Sequence, residues 1–89
     1  MNAASIKMRI NFIVDDYKNW HIGLTQRNPS ERRKEHENDG DDVSRWTFWE
    51  ADTFTDAQDI ERHFKNDCGM EGGTGGDLTP DVKTYVYIY

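Results

Sequence analysis

With 89 residues the chain has room for one small domain and none for a second. A net charge of −6 excludes a protein that coats nucleic acid non-specifically, since such binding draws on many Lys and Arg side chains. The single cysteine, Cys68, excludes an internal disulfide and a cysteine-built metal site, and no apolar run is long enough for a signal peptide or a membrane span; a soluble, cytoplasmic protein without a membrane partner is expected.

Residues 1–5 are small and polar and are expected to fray. Ile6, Met8, Ile10, Phe12 and Val14 then face one way while Lys7, Arg9, Asn11 and Asp15 face the other, a period of two that predicts a strand. Asp15–Asn19 reads as a turn, and Trp20, Ile22 and Leu24, alternating with His21, Gly23 and Thr25, predict a second strand that closes a β-hairpin with the first. Asn28 and Pro29 open a helix that runs to Asn38, with Glu31 completing a capping box. That helix carries Arg32, Arg33, Lys34, three glutamates and His36, and has no apolar side chain to hold it on a core beyond its opening proline. It is either weakly docked or present for its charges.

Glu37–Asp42 is an acidic turn whose carboxylates lack the order of a calcium loop, so it reads as solvated. Arg45–Asp52 predicts a strand with aromatics on both faces, Trp46 and Phe48 against Trp49 and Thr47, and such a strand is expected in the middle of the sheet or beneath both helices. Thr55–Gln58 forms a second capping box for a helix whose apolar face is Ala57, Ile60, Phe64 and Cys68, with Gly69 as its stop. Glu61 lies at the edge of that face, either half-buried and functional or simply exposed. The glycine-rich stretch across 69–81 lacks the Lys-Ser/Thr of a Walker loop and is expected to be a flexible connection. Thr84–Tyr89 predicts a last strand, with Tyr85, Tyr87 and Tyr89 on one face and Val86 and Ile88 on the other.

Charge is unevenly distributed along this order. Residues 1–36 have a balance of +3 and residues 37–89 a balance of −9. Arg27, Arg32, Arg33 and Lys34 therefore make a local basic patch on an acidic protein, the one segment suited to phosphates.

His21-Ile22-Gly23-Leu24-Thr25, a short loop, a helix with Arg32 four residues before His36, and Ala57-Gln58-Asp59-Ile60-Glu61 on a later helix follow one another in an order that resembles the GIY-YIG nucleases. The resemblance covers roughly residues 10–64. His21 stands where that family has the tyrosine of Tyr-Ile-Gly, and the first signature, Gly-Ile-Tyr, has no counterpart in Ile10–Val14. The resemblance implies that Glu61 holds one Mg²⁺ or Mn²⁺, that Arg32 sits on the scissile phosphate, and that His21 or a nearby tyrosine orients or deprotonates water. An imidazole is the side chain that exchanges protons nearest neutral pH, which makes His21 a chemically sensible substitute. Tyr85–Tyr89 resembles the family's first strand more closely than residues 10–14 do, so Tyr87 is a candidate for the tyrosine that the N-terminal strand lacks.

The expectation is an α+β fold in one domain, 1–89, with a small, mainly antiparallel sheet and two helices in the order strand-strand-helix-strand-helix-strand. Its candidate catalytic residues are His21, Arg32, His36, Glu61 and Tyr87. The functional expectation is a divalent-metal phosphodiesterase acting on DNA or RNA. A non-catalytic module that binds another protein through its acidic half and exposed aromatics is the alternative.

Overall fold

The computed structural model describes residues 1–72 and 78–89; the middle of the expected glycine-rich connection, 73–77, lies outside the described residues. The fold is α+β, with three α-helices and a four-stranded mixed sheet among those residues. In chain order these are α1 (Ala3–Ile13), a 3₁₀ turn (Tyr17–Asn19), β1 (His21–Thr25), α2 (Pro29–Asn38) and β2 (Thr47–Glu50). They are followed by α3 (Phe54–Arg62), its π-helical extension (His63–Asp67), β3 (Glu71–Gly72) and β4 (Tyr85–Ile88). No helix among the described residues is long and apolar enough to cross a membrane.

Of the segment 6–14, expected as a strand, residues 6–13 are helical, so the N-terminal hairpin does not form and the described residues hold three α-helices rather than two. Its alternation is ambiguous: every second residue includes every fourth. Ile6 and Ile10 form a helical stripe that is fully buried, while Met8 and Phe12, 70% and 91% exposed, fall on the outer face. Asn2 caps the helix by accepting a bond from the Ser5 N–H. A strand there would also have found no vacancy, because β1 already has β4 on one side and β3 on the other.

The sheet runs β2-β4-β1-β3, antiparallel except for the short parallel pair of β1 with β3. The aromatic strand β2 is therefore at an edge and not in the middle, and its Phe48 is exposed. The C-terminal β4 takes the centre, with Tyr87 opposite Gly23 on β1 and Phe48 on β2. Burial on both faces suits its alternating Tyr and Val/Ile composition.

The main core lies on one face of the sheet, where Ile22, Leu24, Val86 and Ile88 pack on Ile6 and Ile10 of α1 and on Ala57, Ile60 and Phe64 of α3 and its extension. Thr53 caps α3 through the Asp56 N–H, two residues before the expected start. Val43, Trp46, Tyr87 and Tyr89 form a second, aromatic cluster. The amide of Gln26, at the end of β1, bonds both the N–H and the carbonyl of Thr79 and reaches the Thr84 hydroxyl, which ties the segment leading into β4 to the sheet.

Candidate functional site

The second cluster is where α2 meets the sheet. Asn28 accepts a bond from the Ser30 N–H and Pro29 occupies the first turn, so the helix starts as its sequence predicts. What docks it is polar and aromatic: His36 Nε2 is 3.0 Å from the Tyr87 hydroxyl, and the imidazole packs against Trp46, Tyr87 and Tyr89. Trp46 stacks on Tyr87 with ring centres 4.5 Å apart.

Gly23 makes room for Tyr87. A Cβ at position 23 would meet the Tyr87 Cζ and hydroxyl at 2.4 Å, so only glycine lets that ring lie across β1. Arg32, one turn before His36, brings its guanidinium beside the Tyr87 hydroxyl and also donates to Glu35 at 3.1 Å. Burial works against the Arg32 charge, but Tyr87 and Glu35 outweigh it and hold its pKa above the ordinary arginine value. Burial pushes the Tyr87 hydroxyl up; Arg32 opposes this, and the charges of Glu61 and Glu35 add to it.

Glu61 acts on Tyr87 from α3. It is half-buried, and burial raises its pKa, opposed by the Lys65 charge. Among the described residues it forms no ion pair within 4 Å. With Gln58, Arg62, Lys65 and Asn66 it lines an open polar groove of about 230 Å³. No group of three or more His, Cys, Asp or Glu side chains is gathered as a metal cage among the described residues.

The structure thus brings His36 and Tyr87 into contact, with the charges of Arg32 and Glu61 acting on Tyr87. His21 is held apart from this contact group: it is exposed, and its ring stacks on Tyr89 at 4.8 Å, nearly parallel. Its link to the cluster runs through Tyr89, whose hydroxyl is 3.1 Å from His36 Nδ1. Arg27 pairs with Glu35, and Arg33 and Lys34 are exposed on α2.

Asp41, from the acidic turn, was not among the expected site residues. Its carboxylate oxygen lies 2.7 Å from His36 Nδ1. A readable signal exists for it. Gly40, at φ +93°, ends α2 in a left-handed cap in which the Asp41 N–H bonds the His36 carbonyl and the Gly40 N–H bonds that of Glu37. A glycine stop of this kind returns the residue after it to the helix five positions back.

No protein-family model, no curated protein and no solved structure matches the chain.

Proposed function

We propose that this is a GIY-YIG-like domain whose α2–β1–β4 cluster hydrolyses phosphodiesters of DNA or RNA with a divalent cation. The observation that carries the reading is the Tyr87 hydroxyl, laid over Gly23 and 3.0 Å from His36 Nε2, with the Arg32 charge acting on it. It supports Tyr87, from the far end of the chain, as the tyrosine of the missing first signature. In this reading that signature strand is β4, beside the strand with His21-Ile22-Gly23.

Arg32 provides a charged fork of donors to bind the phosphate and offset charge that builds as the bond to water forms. Tyr87 orients the water, and its hydrogen bond to His36 gives a proton somewhere to go. In this reading His21, exposed and stacked on Tyr89, lines the approach to the site. Arg33 and Lys34 give the strand's flanking phosphates exposed cations, with Arg27 beside them.

Glu61 fits a hard cation: its half-buried carboxylate lines an open polar groove and has no ion-pair partner among the described residues, a charge that Mg²⁺ or Mn²⁺ would satisfy. One carboxylate with waters and substrate phosphate is an ordinary magnesium environment, so a cage of three protein ligands is not required. Bound there, the ion supplies Lewis-acid charge to a phosphate oxygen. The lone Cys68 is at home in the reducing cytoplasm, where we place the activity.

Plasmid, single-stranded DNA and RNA incubated with Mg²⁺ or Mn²⁺ test the reading. Cleavage by the wild type that is lost in Glu61→Ala and Arg32→Ala supports it. Equal cleavage by all three identifies a contaminant, and none by a folded wild type rejects it.

One observation favours a second reading. Met8 and Phe12, with the partly exposed Ile13, set an apolar patch on the outer face of α1, as a non-catalytic protein-binding module would have. A folded protein without nuclease activity would bring this reading to the front.

A further inference from the structure

The contacts of His36 form a chain with a direction. An ionised carboxylate can only accept, so with Asp41 Oδ2 2.7 Å from Nδ1 the imidazole proton belongs on Nδ1. The Tyr89 hydroxyl lies farther from the same nitrogen, at 3.1 Å, and is neutral, so the charged carboxylate at 2.7 Å is the stronger acceptor for the Nδ1 proton. Nε2 is then a bare acceptor, 3.0 Å from the Tyr87 hydroxyl, which donates to it. Arg32, whose charge acts on Tyr87, has only donors and cannot take the Tyr87 proton, which leaves His36 Nε2 as its acceptor.

We propose that Asp41 is a positioning residue of the site, holding the His36 proton on Nδ1 so that Nε2 receives the Tyr87 proton during phosphodiester hydrolysis. The inference rests on the phosphodiesterase reading for its chemistry, and on the geometry alone for the tautomer. As a water oxygen forms its bond to phosphorus, the water proton passes to the Tyr87 oxygen and the Tyr87 proton to His36 Nε2. The bond from phosphorus to the leaving oxygen breaks, and that oxygen takes a proton from solvent. The imidazolium, its Nδ1–H still on Asp41, then returns its extra proton to solvent through Tyr87. Water is the only co-reactant, and nothing is oxidised or reduced.

The same arrangement explains why Asp41 sits where it does. The glycine cap at Gly40 fixes its backbone to the His36 carbonyl, and its side chain closes back on the His36 ring, so one residue is tied to another at two points. A merely solvated acidic turn needs neither bond.

The test reads the proton directly. Long-range ¹H–¹⁵N imidazole correlations at neutral pH, assigned with His21→Gln and His63→Gln, are expected to show His36 protonated on Nδ1 alone in the wild type. Asp41→Asn keeps size and turn while offering an amide donor; the proton is expected to move to Nε2, with kcat for bis(p-nitrophenyl) phosphate in Mn²⁺ falling at least ~100-fold and KM nearly unchanged. Asp41→Glu, which restores a carboxylate acceptor, is expected to recover the Nδ1 tautomer and part of kcat. A proton on Nε2 in the wild type, alone or together with one on Nδ1, overturns the proposal, as does an Asp41→Asn variant with the wild-type tautomer and kcat. A wild type that shows the Nδ1 tautomer but cleaves nothing in Mn²⁺ rejects the phosphodiesterase reading and the proton path built on it, and leaves Asp41 as the group that sets the tautomer.

Discussion

Tyr87 and Gly23 face each other across the β1–β4 pair, and the ring of one occupies the space that a side chain on the other would fill. Trp46 stacks on the same ring and Tyr87 is only 4% exposed, so the ring has no free direction in which to retreat. Gly23→Ala is therefore expected to destabilise the fold by about 1–3 kcal/mol through overpacking. It should also separate the Tyr87 hydroxyl from His36 and Arg32. Urea midpoints check the first effect. Phosphodiester cleavage checks the second, which should exceed what the lost stability accounts for when the assay is run well below the melting temperature.

Arg32 is paired with Glu35 on its own helix, and Glu35 and Tyr87 both favour its charged form. Arg32→Ala is expected to lower kcat by roughly 100-fold, the scale of losing a charged donor to a developing oxyanion. Arg32→Lys should not restore it, because an ammonium lacks the planar fork that bridges a phosphate and a hydroxyl. Steady-state kinetics on bis(p-nitrophenyl) phosphate separate the cases; a lysine variant with wild-type kcat would mean that charge alone is used.

How far the fold can be read from the residues is clearest where two periods compete. For α2, the N-cap, the proline and the absence of apolar residues all point one way, and the helix is where they put it. For α1, Ile6 and Ile10 satisfy both the strand and the helix pattern, and the deciding information is non-local: β4, from the other end of the chain, takes the place beside β1 that an N-terminal strand would have needed. The same event hid the position of Tyr87, since strand order cannot be read from periodicity. Arg32 and His36 could be placed on one helix face because that spacing is local, whereas the ring that Gly23 accommodates comes from β4 and no local pattern announces it. Asp41 was legible in principle, through Gly40, but an acidic cluster reads first as a solvated loop.

The helical assignment of α1 makes its own prediction. Phe12 is 91% exposed and Ile10 fully buried, although a strand would put the two on the same face. Phe12→Ser is expected to change stability by no more than about 0.5 kcal/mol, whereas Ile10→Ala should cost about 2–5 kcal/mol. Equal, large losses in denaturant titrations of the two variants would restore the strand.

Tyr89 gives the fold a sensitivity to alkali. Its pKa is pushed up to about 12, first by burial and then by the charge of Asp41, from an ordinary value of 10.0. Between those values the folded protein keeps a proton that the unfolded chain has released. The folded state therefore binds more protons there, and the slope of unfolding free energy against pH is negative. The contribution is present in full below pH 10 and is lost as pH rises towards about 12. Tyr89→Phe has no proton to lose at this position. Its urea midpoint should fall less steeply than the wild type's across that window, and its tyrosinate absorbance near 295 nm should lack one late-titrating group. Parallel midpoints for the two proteins would mean that Tyr89 ionises freely and that burial and the Asp41 charge do not hold its proton in solution.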